Sequence, residues 1–266
     1  MTGTARIREV VHGGYQCSAE TRARILTGAM RLFAERGFDG ASTRDIAAEA
    51  GVNAPALQYH FGNKQGVYDA CVEHIVTRVW DLMADVVEEA EAALRGEPSD
   101  EELIQRFCAL QMQVGEFMSN SFSSRELNDW RLFMARLQAG MGSEEGFKLI
   151  YEGVSQRSFL VTTGIVGRLL GRPADDTEIV IRTMALSGQM LVFQIMRRTM
   201  LTALGWNGLD EERLAMLKGI VCEQIATLLR TFVAERRRHD TQRQSALPRI
   251  VPAGRAVSRR GRKSAR

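Results

Sequence analysis

The 266 residues are 45% hydrophobic, enough for a substantial core, yet no run of about 18 apolar residues exists to span a membrane, and residues 1–17 lack the apolar stretch of a secretory signal. The net charge of +3 hides a division: residues 1–64 hold eight Lys/Arg and six Asp/Glu, residues 65–235 sixteen and twenty-five, and residues 236–266 eleven and one. An acidic middle of that size repels a phosphate backbone, so contact with nucleic acid is confined to the N-terminal part and the basic tail.

Residues 1–17 carry no hydrophobic periodicity and are expected to be disordered. Ser18 is a candidate cap for a helix reaching about Arg36, with Gly37 as its stop. Ile25, Ala29, Leu32 and Phe33 recur along it at helical spacing. Ser42 followed three residues later by Asp45 forms a capping-box pattern, so a short helix starts near Thr43, with Ile46, Ala47 and Ala50 on its apolar face. Gly51 supplies the positive-φ residue that ends it, and Val52 buries in the turn. Asn53 then caps a second short helix, about Ala54 to Phe61, and Pro55 falls in its first turn, where a missing N–H costs nothing. Leu57 and Phe61 face inward. Two helices joined by a short Gly-containing turn describe a helix-turn-helix, and the preceding helix covers their inner faces.

From Asn63 a long helix runs to about Arg95, with Tyr68, Val72, Ile75, Val79, Leu82, Val86 and Ala90 as its stripe and Gly96-Glu97-Pro98 as its end. Ser99 with Glu102 opens the next, to about Met118, and Ser123 with Glu126 another, ending near Ala139-Gly140. Long segments follow from Ser143 to Leu170, from Asp175 to Leu204, and from Asp210 to about Arg237. The expected fold is therefore all-α with about nine helices: three in a helix-turn-helix unit over residues 18–64 and six in a body over 65–240. Residues 241–266 are expected to be disordered; their Arg259-Arg260-Gly261-Arg262-Lys263 run either adds nonspecific phosphate attraction or merely keeps the chain soluble.

The segment from Ala29 to Ile75 resembles the N-terminal domain of the TetR (tetracycline repressor) family of bacterial regulators. Gly37-Phe38, Thr43-Arg44-Asp45-Ile46-Ala47, Gly51-Val52, Tyr59-His60-Phe61 and Lys64 match in order and spacing. Farther on, Trp130-Arg131-Leu132-Phe133, Gly188-Gln189 and Leu204-Gly205-Trp206 are similar to the CecR-like branch. The resemblance implies double-stranded DNA as partner, a palindromic operator, and a homodimer through the last two long segments, about 175–204 and 210–237.

In a helix-turn-helix the second helix enters the major groove by its N-terminus. Asn53, Ala54, Pro55, Ala56 and Gln58 are thus the residues that meet base edges: the Gln58 amide suits adenine, and Ala54 and Ala56 suit thymine methyls. Asn53 is also explained as a cap alone. By resemblance Tyr59 and His60 hold phosphates, while Gln58 stands where many members carry a second tyrosine. Thr43 and Arg44 begin one helix and Lys64 begins another, positions whose free N–H groups favour phosphate; Arg44 also has the reach for a base. Losing Lys64 should weaken every sequence alike and flatten the salt slope by about one.

For a small hydrophobic effector the body offers Trp130, Phe133, Met134, Leu137, Phe159, Thr163, Gln189 and Phe193, apolar groups with a few polar ones, although such stripes also describe plain core. No metal and no cofactor is expected: Cys71 and His74 lie three apart but have no partner pair at ligand spacing. The widely spaced Cys17, Cys71, Cys108 and Cys222 fit free thiols in the cytoplasm. The expectation is a ligand-responsive regulator, most simply a repressor, in which a ligand tilting the long fourth helix changes the spacing of the two reading heads. Tenfold loss of DNA affinity would need about 1.4 kcal/mol of coupling. An enzyme lacks every familiar catalytic motif here, an architectural binder would have a basic body, and an activator stays open.

Overall fold

The computed structural model describes residues 4–120 and 125–246, and among them every regular element is helical. The elements are α1 (Thr4–Gly40), α2 (Thr43–Glu49), α3 (Ala54–Phe61), α4 (Lys64–Arg95), α5 (Asp100–Asn120), α6 (Arg125–Gln138), α7 (Glu144–Ile150), α8 (Gln156–Leu170), α9 (Thr177–Ile195), α10 (Arg197–Leu204) and α11 (Glu211–Ala246). The all-α expectation holds, and among the described residues no single helix is long and apolar enough to cross a membrane.

Several boundaries differ from the sequence reading. Helix α1 begins at Thr4, so Thr4–Cys17 is helical rather than disordered and Ser18 lies inside a helix. No proline interrupts that stretch, so nothing prevents the helix from running on past its apolar stripe. Gly37 does break α1, at φ 75 and ψ 178. At the other end α11 passes Arg237 and continues to Ala246, so the start of the expected disordered tail is helical; residues 247–266, and the Ser123 cap, lie outside the described residues. Two of the nine expected helices are each divided. Between α7 and α8 a π turn, Tyr151–Ser155, carries Gly153, where a Cβ would stand 2.7 Å from Val76 Cγ1 on α4. Between α9 and α10 the backbone leaves the helix at Met196, with φ −95 and ψ 22.

Two apolar cores share the long helix α4. The upper core joins α1, α2, α3 and the first half of α4 to α6 and Ile150 of α7. The lower core joins the second half of α4 to α5, α8, α9 and α11, around Val87, Phe107, Ile165, Leu169 and Ile225. Arginine forks close the exposed helix ends. Arg168 donates to the carbonyls of Leu94 and Gly96 at the end of α4, at 2.9 Å each. Arg236 of α11 donates twice to the Asp100 carboxylate at the start of α5, at 2.8 and 2.9 Å, and Arg237 adds a third bond at 3.0 Å.

Burial pushes the Asp100 carboxyl up, but the Arg236 and Arg237 guanidiniums outweigh it and hold it below the usual range. A carboxyl whose folded value lies below its unfolded one contributes stability above the unfolded value, and that contribution is lost as pH falls through the folded value. Asp100→Asn is therefore expected to unfold at lower urea than the wild type at pH 7, with the gap narrowing as the pH drops below about 3.9.

Candidate nucleic-acid interface

The local sequence closes both short helices at their starts. Ser42 Oγ accepts from the Asp45 N–H at 3.1 Å, and the Asp45 carboxylate accepts from the Ser42 N–H at 3.3 Å, completing the capping box. The Ser42 hydroxyl, which donates to the same carboxylate at 2.6 Å, and then the Ser42 N–H hold the Asp45 carboxyl below its ordinary value. Gly51 takes φ 63 in the turn, and the Val52 N–H donates back to the Ala47 carbonyl at 2.9 Å. Asn53 Oδ1 accepts from the Ala56 N–H at 2.9 Å, so Asn53 is the cap of α3. Its side-chain NH2 stays outward and retains the capacity for a second role. Asn53→Ala should cost about 1 kcal/mol of stability, read as a lower urea midpoint.

Ile46, Ala47 and Leu57 are buried beneath this motif, and what is left outward is polar or small. Arg44, Asn53, Ala54, Pro55 and Gln58 are exposed, while Thr43, Ala56 and His60 are half-buried. Tyr59 is 84% exposed, its ring touching only the edge of His60 at 5.2 Å. A tyrosine left so open forgoes the burial its ring would otherwise gain. Lys64 has a part the sequence did not reveal: its ammonium donates to the Phe38 carbonyl at 3.0 Å and sits 4.4 Å from the Phe38 ring centroid. It ties the start of α4 to the end of α1.

Beneath the motif lie contacts that set its geometry. Asn63 Oδ1 accepts from the Gly66 N–H at 2.9 Å, and a Cβ on Gly66 would stand 2.1 Å from the Phe61 carbonyl oxygen. Only glycine lets α4 start so close under the end of α3. Phe33, Tyr68 and Phe133 then form one aromatic cluster, with Tyr68 centred 4.9 Å from Phe33 and 4.8 Å from Phe133. Burial drives the Tyr68 hydroxyl up to about 12, so it stays protonated. From α6, Arg136 donates to the carbonyls of Ala34 and Glu35 at 2.8 and 2.9 Å, satisfying the last turn of α1 before Gly37 breaks it.

Among the described residues, the eight body residues expected to hold an effector do not line one common cavity. Trp130, Phe133 and Leu137 are buried in the upper core with Met134 packed beside them, part of the support for the reading head. Thr163 is buried too, but its hydroxyl donates to the Phe159 carbonyl at 2.9 Å within α8. Phe159 is half-buried, Phe193 packs on the lower core, and Gln189 lies on the outer face of α9 and α11 with Glu223, Gln224, Thr227 and Leu228. Aromatic and Met stripes mark burial, and burial alone does not distinguish core from cavity wall.

One cleft of about 420 Å3 does open between α1, α4 and α6. Leu26, Met30 and Trp130 form its apolar wall, and Arg22, Thr27, His74 and Asp129 its polar groups. The Arg22 guanidinium also lies 5.2 Å from the ring centroid of Phe61, at the end of α3. Sequence reading missed Arg22, although its spacing of four to Leu26 and eight to Met30 places it on the same helix face. His74 meets Trp130 edge-on at 5.3 Å, and Cys71 is fully buried, its thiol pushed up by desolvation.

Comparison with known proteins agrees with this geometry. Residues 25–71 match the family described as bacterial regulatory proteins, tetR family, and residues 107–232 match the C-terminal domain of the HTH-type transcriptional dual regulator CecR. CecR of Shigella flexneri is 28% identical over 214 residues, covering 79% of this chain and 92% of its own. The transcriptional repressor AcnR of Corynebacterium glutamicum is 38% identical over 69 residues, 26% of this chain and 35% of its own. The fold matches a TetR family transcription regulator from Marinobacter aquaeolei with a TM-score of 0.50 at 16% identity, over 79% of this chain and 97% of that one. The chain therefore carries a TetR-family DNA-binding domain followed by a CecR-type C-terminal domain.

Proposed function

We propose that this regulator acts in the cytoplasm as a homodimeric repressor, binds a near-palindromic operator, and is released by a small hydrophobic ligand. The observation that carries the dimer is an apolar face left open on α9 and α11: Ile181 is 61% and Met184 62% exposed, with Leu191, Met216, Ile220 and Leu228 beside them. Contiguous exposed apolar surface of this kind belongs to an interface. A two-fold pairing there gives two reading heads, whose recognition helices sit about 34–36 Å or a multiple apart on the operator. Ile181→Glu with Ile220→Glu should yield monomers in sedimentation and lose operator binding; a dimer that persists would overturn this interface.

At each head, Asn53, Ala54, Pro55, Ala56 and Gln58 meet base edges, while Thr43, Arg44, Tyr59, His60 and Lys64 meet phosphates. Binding to DNA upstream of its own gene, measured by fluorescence anisotropy, separates the two groups. Gln58→Ala should cost about 1–3 kcal/mol at one base-pair position and relax preference there. Arg44→Ala should weaken all sequences alike and lower the salt slope by about one.

The cleft between α1, α4 and α6 is the effector seat we favour. A ligand against Trp130 and Met30 that draws Arg22 toward itself removes a contact from Phe61 and loosens the end of the recognition helix. Thr27→Trp, which fills the cleft from an exposed position, should keep operator binding and abolish release by any compound that releases the wild type. A second reading, in which the chain also activates some promoters, takes its support from the naming of the relative CecR as a dual regulator. Promoter fusions whose output falls on deletion of the regulator would favour it.

A further inference from the structure

Cys108 and Cys222 are 114 residues apart in sequence and face each other where α5 crosses α11. The Cys108 Sγ lies 3.7 Å from the Cys222 carbonyl oxygen, and the Cys222 Sγ lies 3.7 Å from the Cys108 carbonyl oxygen. That reciprocal arrangement sets the two sulfurs side by side across the helix crossing. Both thiols are free and half-buried, within reach of a small solute, whereas Cys71 is wholly enclosed and points at the Leu26 carbonyl.

The surroundings make the two sulfurs unequal. Lys218 stands one helical turn before Cys222 on the same face of α11, is only 5% exposed, and brings its positive charge to the buried side. The neighbouring Cys108 thiol and then the Lys218 charge pull the Cys222 thiol below its ordinary value, while the neighbouring Cys222 and burial push the Cys108 thiol up. The Arg230–Glu101 ion pair flanks Cys108 with one charge of each sign, so it leaves that asymmetry in place. An accessible thiol made easier to ionise by a nearby cation, with a second thiol beside it, is the arrangement of an attacking and a resolving cysteine.

We propose that Cys108 and Cys222 form an oxidisable dithiol that closes to an intramolecular disulfide, joining α5 to α11, when the protein meets a hydroperoxide. The Cys222 thiolate attacks the terminal peroxide oxygen and the O–O bond breaks. The leaving oxygen takes a proton and departs as water or an alcohol, and Cys222 becomes a sulfenic acid. Cys108 then gives up its proton and attacks the Cys222 sulfur, the S–O bond breaks, and hydroxide leaves with that proton as water. Two thiols lose two electrons and one peroxide gains them.

The test uses the full chain in a Cys17→Ser background, which leaves three thiols. Hydrogen peroxide should remove two of the three, counted with a thiol reagent under denaturing conditions, and dithiothreitol should restore both. Peptide mapping should find one linked pair containing Cys108 and Cys222, within a single chain. Cys222→Ser should prevent the loss, and Cys108→Ser should stop at a Cys222 sulfenic acid trapped by dimedone. Three thiols surviving peroxide, a bridge between two chains, or dimedone on Cys108 in place of Cys222 would overturn the proposal.

Discussion

Gly66→Ala should abolish operator binding while leaving the lower core folded. The added methyl would stand 2.1 Å from the Phe61 carbonyl oxygen, and that atom is backbone, fixed by the end of α3. A flexible side chain can swing aside, but here either α3 or the start of α4 must move. Overpacking typically costs about 1–3 kcal/mol, and a backbone obstacle puts this case at the upper end. Because the Gly66 N–H is also held by Asn63 Oδ1, the shift would spoil the cap of α4 as well. Anisotropy on operator DNA should show the loss, and circular dichroism should show helicity largely retained. Full binding by the variant would mean that the α3–α4 junction tolerates more movement than this close approach implies.

Phe133→Ala should destabilise the reading head although Phe133 lies in the body, some seventy residues after Lys64. Its ring is 1% exposed and packs against Tyr68 and Phe33, so truncation leaves a hole between α1, α4 and α6. Removal of a buried phenylalanine costs about 3–5 kcal/mol. Chemical denaturation should read the loss, and hydrogen exchange should place it in α1 and α2 as well as in α6. A ligand-site role for Phe133 would instead leave stability near the wild type and change only the response to effector.

Local signals made the reading head legible in the sequence. The capping box at Ser42 and Asp45, the Asn53 cap and the Gly51 turn are each set by residues within three or four positions, and each is found in place. The length of α4 followed from its apolar stripe and from the Gly96-Glu97-Pro98 stop. The contacts between segments were not legible. Nothing near Arg136 announces that its fork serves carbonyls a hundred residues earlier, and nothing near Cys108 points to Cys222. The effector residues scattered for the same reason: periodicity reports that a face is buried, without saying against which neighbour. Gly66 left a fainter trace, a glycine in the first turn of a long helix where a residue with a Cβ would ordinarily serve better.

The upper core also bears on how separable the head is. Phe133 and Arg136 make α6 a second strut beside α4, so the DNA-reading unit is clasped from two sides. A fragment cut after the fourth helix's first turns would forfeit a wall of its own interior, and a chimera that grafts this head onto a foreign trunk would have to bring α6 along. Motion handed to the head meets two supports, α4 and α6, which favours a rocking of the whole unit over a swing about one pivot.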